Sequence, residues 1–317
     1  MKLLIALIAL AAASPLLITE QAANDLKETA PFEVYDANEN PFRDWTINEM
    51  KAFLFGTELN TELDKEFFAD RQHSIKKELE AMNASVPTDF DSRKQWPNCI
   101  HPIRDQQQCG SCWAFSVSEV MSDRFCIASN GAIDVVLSPQ YQLQCDWWDH
   151  GCNGGILSFC WSFQEGGGDA TDACVPYSSG SGSVPWTCPS SCSDGSKFQR
   201  YPAKKSSAKH FSDVESAKVA IMTDGPIQAG FTVYEDFMHY KGGIYKYTSG
   251  SALGGHAVKI VGWGNEDGTD YWIVANSWNT TWGEDGFFRI AVGQCDMDSQ
   301  LYAGEANVDA VTGFHTF

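Results

Sequence analysis

Before Cys99 the chain contains no cysteine, and all eleven of its cysteines lie beyond Val86. Basic residues are also scarce: 22 Lys and Arg stand against 41 Asp and Glu, a formal net charge of -19 at pH 7. Phosphate binding needs a basic surface that releases counterions, so this balance argues against a nucleic-acid partner. No apolar run reaches the roughly 20 residues that a membrane-spanning helix needs, and no membrane association is expected. Heptads, internal repeats and long polar tracts are missing too. With 43% hydrophobic and 13% aromatic residues, the chain reads as globular rather than disordered.

The one extended apolar run, Leu3 to Ala13, follows Lys2 and ends in small residues at Ala11 and Ala13. It is too short to span a bilayer and has the pattern of a signal peptide, so residues 1–14 are expected to direct export. The cysteines, at 99, 109, 112, 126, 145, 152, 160, 174, 188, 192 and 295, are numerous enough to suggest disulfides in an oxidising compartment. Their odd number leaves at least one thiol outside any bridge.

Two regions of different texture follow. Residues 15–85 are cysteine-free and rich in Glu, Asp, Lys and Asn. Within them Thr46-Ile-Asn-Glu49 reads as a capping box that opens a short amphipathic helix with Met50, Phe53 and Leu54 on one face and Gly56 as its stop, a docking element. Residues 86–317 begin helical. Ala114, Val117, Met121 and Phe125 recur at helical spacing from Ser111 to Cys126, which places Cys112 at a helix N-terminus. Beyond Gly225 short alternating runs predict strands over Ile227–Val233, Gly243–Tyr247, His256–Trp263, Tyr271–Trp278 and Phe287–Val292. The stretch from Ser178 to about Lys209 reads as loop.

A thiol at a helix N-terminus sits at the positive end of the helix dipole, which lowers its pKa and favours the nucleophilic thiolate. Such a nucleophile needs a base. Of seven histidines, only His256 opens a β-run directly after two glycines. If that run pairs with Tyr271–Trp278 around a loop centred on Glu266 and flanked by Gly264 and Gly268, His256 stands across the strands from Asn276, which could orient the imidazole. A strand histidine taken alone is more often structural than catalytic. Cys, His and Asn occurring together in this order reverse that weighting.

These residues carry a resemblance. Cys109-Gly-Ser-Cys-Trp113, Pro87-Thr-Asp-Phe-Asp-Ser-Arg93, Cys152-Asn-Gly-Gly155, Gly254-Gly-His-Ala257 and Ala275-Asn-Ser-Trp-Asn279 with Trp282-Gly283 make the chain, over about Val86 to Ala303, similar to papain-family cysteine proteases, and most to the cathepsin B branch. The resemblance implies an α+β, two-lobed fold with a helical left lobe, a β-barrel-like right lobe and the active-site cleft between them. It implies a cysteine endopeptidase acting on protein and peptide substrates, made as a zymogen, active at acidic pH, monomeric and without cofactor or metal. Residues 15–85 become an inhibitory prosegment of the short cathepsin B type, and cystatin-type inhibitors become possible partners. A lysosome, a digestive vacuole or the extracellular space becomes the expected location.

Carried over residue by residue, the resemblance makes Cys112, His256 and Asn276 catalytic. Gln106 becomes a side-chain donor to the oxyanion, and Gly154 and Gly155 hold substrate backbone. Trp278 shields the His–Asn bond, while Ile156, Leu157, Ala257 and Gln300 line the pocket for the second residue before the cut. It pairs Cys99–Cys126, Cys109–Cys152, Cys145–Cys188 and Cys174–Cys192. The chain departs from the family pattern at Gln107, where the family has Gly. It departs again between Cys174 and Cys192, where no histidine pair replaces the one with which the cathepsin B branch clasps a substrate carboxylate. Neutral Gln300 stands where that branch has an acidic residue. Two sequons, Asn83-Ala-Ser85 and Asn279-Thr-Thr281, are present. Cys109-Gly-Ser-Cys112 also has the spacing of a redox pair or half a zinc site, but the βαβ context of the first and the second ligand pair of the other are lacking.

Overall fold

The computed structural model describes residues 14–54, 57–59, 61–75 and 85–312. Most of the expected signal peptide, Gly56 and the sequon at Asn83 lie outside them. Among the described residues no helix is long and apolar enough to cross a membrane.

The helix Cys112–Ala128 is buried along nearly its whole length, because its apolar positions leave no wide polar face for solvent. Around it pack the helices Pro139–Cys145 and Leu157–Glu165. The first of these starts on a Ser138 cap with Pro139 at its first turn. Together they form the helical lobe, with a core of Trp113, Val117, Met121, Phe125, Leu143 and Trp161. From Ser178 to Ala208 no helix or strand occurs.

In the second lobe one sheet runs in the order Gln72–His73, Lys209–Phe211, Leu301–Ala303, Ile227–Tyr234, Ala252–Glu266, Thr269–Ala275, Phe287–Ala291 and Ile244–Tyr245. The expected two-lobed α+β architecture is present. Among the described residues the sheet of the second lobe is open along this path, with one edge supplied by Gln72–His73 from the leading segment. The central strand, Ala252–Glu266, changes partner where Gly262 meets Phe90–Asp91. A Cβ at Gly262 would lie 2.2 Å from the Phe90 carbonyl oxygen, so only glycine permits this approach.

Hairpin geometry corrects the expected register. The turn is Asp267-Gly268, both with positive φ (50° and 78°), and the closing pair is Glu266↔Thr269. A two-residue turn of this type matches the strand twist, so it displaces the symmetric loop around Glu266. An irregularity between Ile260 and Gly262 then sets Ala275 opposite Lys259. His256 therefore pairs with Phe231 on its other side and not with Asn276.

Four disulfides close: Cys99–Cys126, Cys109–Cys152, Cys145–Cys188 and Cys174–Cys192, with Cys112, Cys160 and Cys295 outside them. With Cys109 bonded to Cys152, a redox pair between Cys109 and Cys112 does not form. The lobes are tied by buried polar contacts. Lys259 Nζ lies 2.7 Å from Asp123 Oδ2, and the Arg124 guanidinium donates to the carbonyls of Gly225, Pro226 and Gly304.

The leading segment is part of both cores. Its helix Ile47–Leu54 opens on the expected capping box, with Glu49 N–H donating to Thr46 Oγ1 and Thr46 N–H to Glu49 Oε2. Phe42, Met50, Phe53 and Leu54 are buried against the β lobe. Each such side chain contributes about 1.5–3 kcal/mol to docking, before the entropy of ordering the segment is subtracted.

Candidate active site

Ser111 precedes the helix of Cys112 without capping it: its hydroxyl turns to the Cys109 carbonyl and to Tyr177 Oη. With no side-chain cap on it, the helix presents the positive end of its dipole at Cys112, where it favours an anion. Cys112 itself is fully buried.

From the β lobe, His256 Nε2 lies 2.8 Å from Asn276 Oδ1, which also accepts the Ser277 N–H at 2.8 Å. The contact arises because the strand ends at Ala275 and Asn276 turns back toward His256, not because the two face each other across a ladder. His256 Nδ1 is buried and has no hydrogen-bond partner among the described residues. Trp278 lies over the imidazole at 4.7 Å between ring centroids and 32° between planes, excluding water from the His–Asn bond. Burial pushes the His256 pKa down to about 4, while the Asn276 bond opposes the shift.

Gln106 is fully buried. Ser277 Oγ donates to its Oε1 at 2.6 Å, and its Nε2 donates to the Cys109 carbonyl at 2.9 Å. That holds the amide with its second N–H to spare. Ser277 was not singled out by the sequence, although it sits inside Ala275-Asn-Ser-Trp. Gln107 has φ 52°, the left-handed conformation that the family's usual glycine adopts without strain.

Gly154 has φ 109°, and its carbonyl accepts the His150 N–H. Gly155-Ile156 forms a parallel pair with Thr57-Glu58 of the leading segment. A Cβ at Gly155 would meet the Trp113 ring at 2.6 Å, so the strand lies tight on that indole. A hollow beside it is bounded by Gly230, Leu157 and Gln300, and Leu59 of the leading segment is seated in it. A Cβ built at Gly230 would come 2.5 Å from Leu59 Cδ2, 3.3 Å from Leu157 Cδ1 and 3.5 Å from Gln300 Cβ. Gly230 and Leu59 had no signal in the sequence. Ala257 is buried in the same apolar cluster as Leu157, whereas the Ile156 backbone contacts turn away from the hollow, its N–H to Asp149 Oδ1 and its carbonyl to Cys160. Gln300 is uncharged and internally bonded, with Nε2 donating to the Ser299 carbonyl and Oε1 accepting from Tyr302 Oη.

The leading segment covers all of this. Its backbone oxygens at Ala52 and Phe53 lie 3.3 and 3.4 Å from a Cβ built at Gly110, and the Leu54 oxygen lies 2.8 Å from one at Gly254. Phe42 and Phe53 pack on Trp278 at 5.4 and 5.5 Å.

A buried thiol on an uncapped helix in one lobe and a His–Asn pair in the other define a class, the two-lobed cysteine hydrolases. The chain belongs to the papain family of cysteine proteases, whose sequence profile matches residues 86–305. Among its relatives it is 45% identical to Cathepsin B-like CP2 of Giardia intestinalis over 222 residues, 69% of this chain and 74% of that one. It is 40% identical to Cathepsin B-like cysteine proteinase 4 of Caenorhabditis elegans over 299 residues, 84% and 87% of the two chains. The structure is similar to procathepsin B S9 of Trypanosoma congolense, with a TM-score of 0.82, 29% identity and coverage of 92% of this chain and 100% of that one. It is also similar to procathepsin L2 of the Tenebrio molitor larval midgut, with a TM-score of 0.71 at 27% identity, covering 90% and 88%.

Proposed function

We propose that the chain is a cysteine endopeptidase made as a zymogen and working at acidic pH, with Cys112 as nucleophile, His256 as acid and base, Asn276 as the group that orients it, and Gln106 as oxyanion donor. The observation that carries this is the leading segment lying across an uncapped thiol helix and the His256–Asn276 pair. With Nε2 held by Asn276, Nδ1 takes the Cys112 proton. The thiolate adds to the scissile carbonyl, and the oxyanion is held by the Cys112 N–H and the Gln106 amide. Nδ1–H then protonates the leaving amine as the C–N bond breaks, and water, deprotonated by His256, hydrolyses the thioester. In the full chain His256 is buried and neutral, so no imidazolium is there to stabilise the thiolate. Removal of residues 15–85 re-solvates the cleft and allows the ion pair to form. A signal at residues 1–14, release into a lysosome, digestive vacuole or the extracellular space, monomeric action and inhibition by cystatin-type proteins all accord with this reading.

Work at acidic pH is supported by buried carboxyls. Burial raises Asp169 to about 8 and Glu119 to about 7, the latter against the pull of Lys259. Their folded pKa values exceed those of the unfolded chain, so the folded state holds protons that unfolding releases, and stability falls as pH rises through that window. Buried His239 and His256, both lowered to about 4, act in the opposite sense, but only below the ordinary histidine pKa of about 6.5. Between roughly pH 6.5 and 8 the carboxyls act together with His101, whose pKa, against the lowering effect of burial, is held above the ordinary histidine value by its bond to Asp123, and the melting temperature of the full chain is expected to drop. A Tm that rises over that interval contradicts the assignment.

Specificity follows from the hollow that Leu59 fills. Its lining offers apolar surface and a neutral Gln300, so substrates with Leu, Val or Phe at the second position before the cut are expected to outrun Arg by roughly 10-fold in kcat/KM. Gln300→Glu should narrow that gap. With no histidine between Cys174 and Cys192 to clasp a terminal carboxylate, cleavage should be internal. Internally quenched peptides with Phe or Arg at that position, and with free or amidated C-termini, test both points. Preference for Arg, or dominant dipeptide release from free C-termini, refutes the reading.

A further inference from the structure

We propose that Asn279 carries an N-linked glycan that lies over the leaving-group end of the cleft and limits how far a substrate extends beyond the cut. The proposal rests on the protease reading above. Asn279, Thr280 and Thr281 form a sequon, and all three are exposed. Asn279 sits in a left-handed turn with φ 66°, its N–H donating to the Arg104 carbonyl, which fixes the direction in which the side chain leaves the surface. Nδ2 donates one hydrogen to Asp105 Oδ2 at 3.1 Å. The other is the one a sugar replaces, so attachment leaves that bond in place and uses it to orient the first sugar. Thr280 Oγ1 donates to Asn279 Oδ1 at 3.3 Å and steadies the same amide. The four disulfides place folding in an oxidising compartment, where such sequons are modified.

The position gives the glycan a consequence. Asn279 follows Trp278, the ring stacked on His256. A groove of about 250 Å³ runs from Asn279 and Thr281 past Trp278, Gln107 and Gln108, and Pro41, Phe42, Trp45 and Phe53 of the leading segment form its other wall. Once the leading segment is gone, the surface left along Trp278, Gln107 and Gln108 is where residues on the carboxyl side of the cut lie. A glycan rooted at its rim competes for that space and leaves the hollow at Gly230 untouched.

The test uses the full chain produced in a eukaryotic host that N-glycosylates, as wild type, Thr281→Ala and Thr281→Ser. Mass-spectrometric peptide mapping is expected to find N-acetylhexosamine on Asn279 in wild type and Thr281→Ser and none in Thr281→Ala. After activation, Thr281→Ala should show a several-fold higher ratio of kcat/KM for a peptide extending four residues past the cut to that for a peptidyl amide of a small dye. Glycosidase treatment of the wild type should raise the ratio likewise. An unmodified Asn279 in the wild-type chain overturns the site, and a ratio unchanged by loss of the glycan overturns its role. A glycosylated chain that cleaves neither substrate also overturns the role, through the protease reading, and the peptide map tells the two failures apart.

Discussion

Cys112→Ala is expected to abolish peptide hydrolysis, lowering kcat by at least about 10⁴-fold, because no other group at the helix N-terminus can form the acyl intermediate. The fold should persist: the four bridges do not use this thiol, and alanine fits the buried site at the small cost of a lost sulfur. The same variant reports on the leading segment. At acidic pH the wild-type chain should lose residues up to about Asn83–Val86 and begin near Pro87, whereas Cys112→Ala should stay full length. Turnover measured on the purified variant, with N-terminal sequencing after acid treatment, checks both. Substantial residual hydrolysis, or wild-type active enzyme that still begins near residue 15, defeats the assignment.

His256→Ala should be nearly as severe, since it removes the base that forms the thiolate and the acid that releases the amine. Asn276→Ala should cost less. Asn276 acts through His256, and Trp278 stacking on the ring keeps part of its orientation when the 2.8 Å bond is gone. The pH profile separates the two roles. Asn276→Ala removes a contact that raises the His256 pKa, so the alkaline limb, along which the imidazolium of the ion pair loses its proton, should move to lower pH, while a purely structural loss would lower the profile without moving it. Equal losses in the two variants, with no shift of the alkaline limb, would remove Asn276 from its orienting role.

Much of the helical lobe was legible because its signals are local. The spacing of Ala114, Val117, Met121 and Phe125 predicts a helix, and the observed one runs Cys112–Ala128. Phe287–Val292 and Ile227–Val233 are strands within a residue or so. The helices Pro139–Cys145, Leu157–Glu165 and Val214–Asp224 were not read. The first is short and buried on every side, so it lacks the polar face that makes an amphipathic period visible, and in the second the residues outside the core include Phe159 and Phe163, which blurs that period. The order of strands in the β lobe had no local signal, because an edge strand finds its partner through the tertiary fold, and one edge strand here comes from the leading segment.

By itself the sequence determined which residues could do chemistry: a cysteine placed at a helix start, a histidine opening a strand, an asparagine near its end, and a cysteine-free segment able to dock. These follow from periodicity, capping and residue type, which act over a few neighbours. Only the tertiary structure decided how they meet. The Asp267-Gly268 turn and the irregularity after Ile260 shift the hairpin, so that His256 reaches Asn276 past the strand end. Ser277 holds Gln106 from 171 positions away in the chain. Leu59 finds the hollow at Gly230 because burying its side chain there outweighs the ordering of the segment that carries it. Register, long-range hydrogen bonds and apolar docking are set by the free energy of the whole assembled chain, and no window of neighbouring residues contains them.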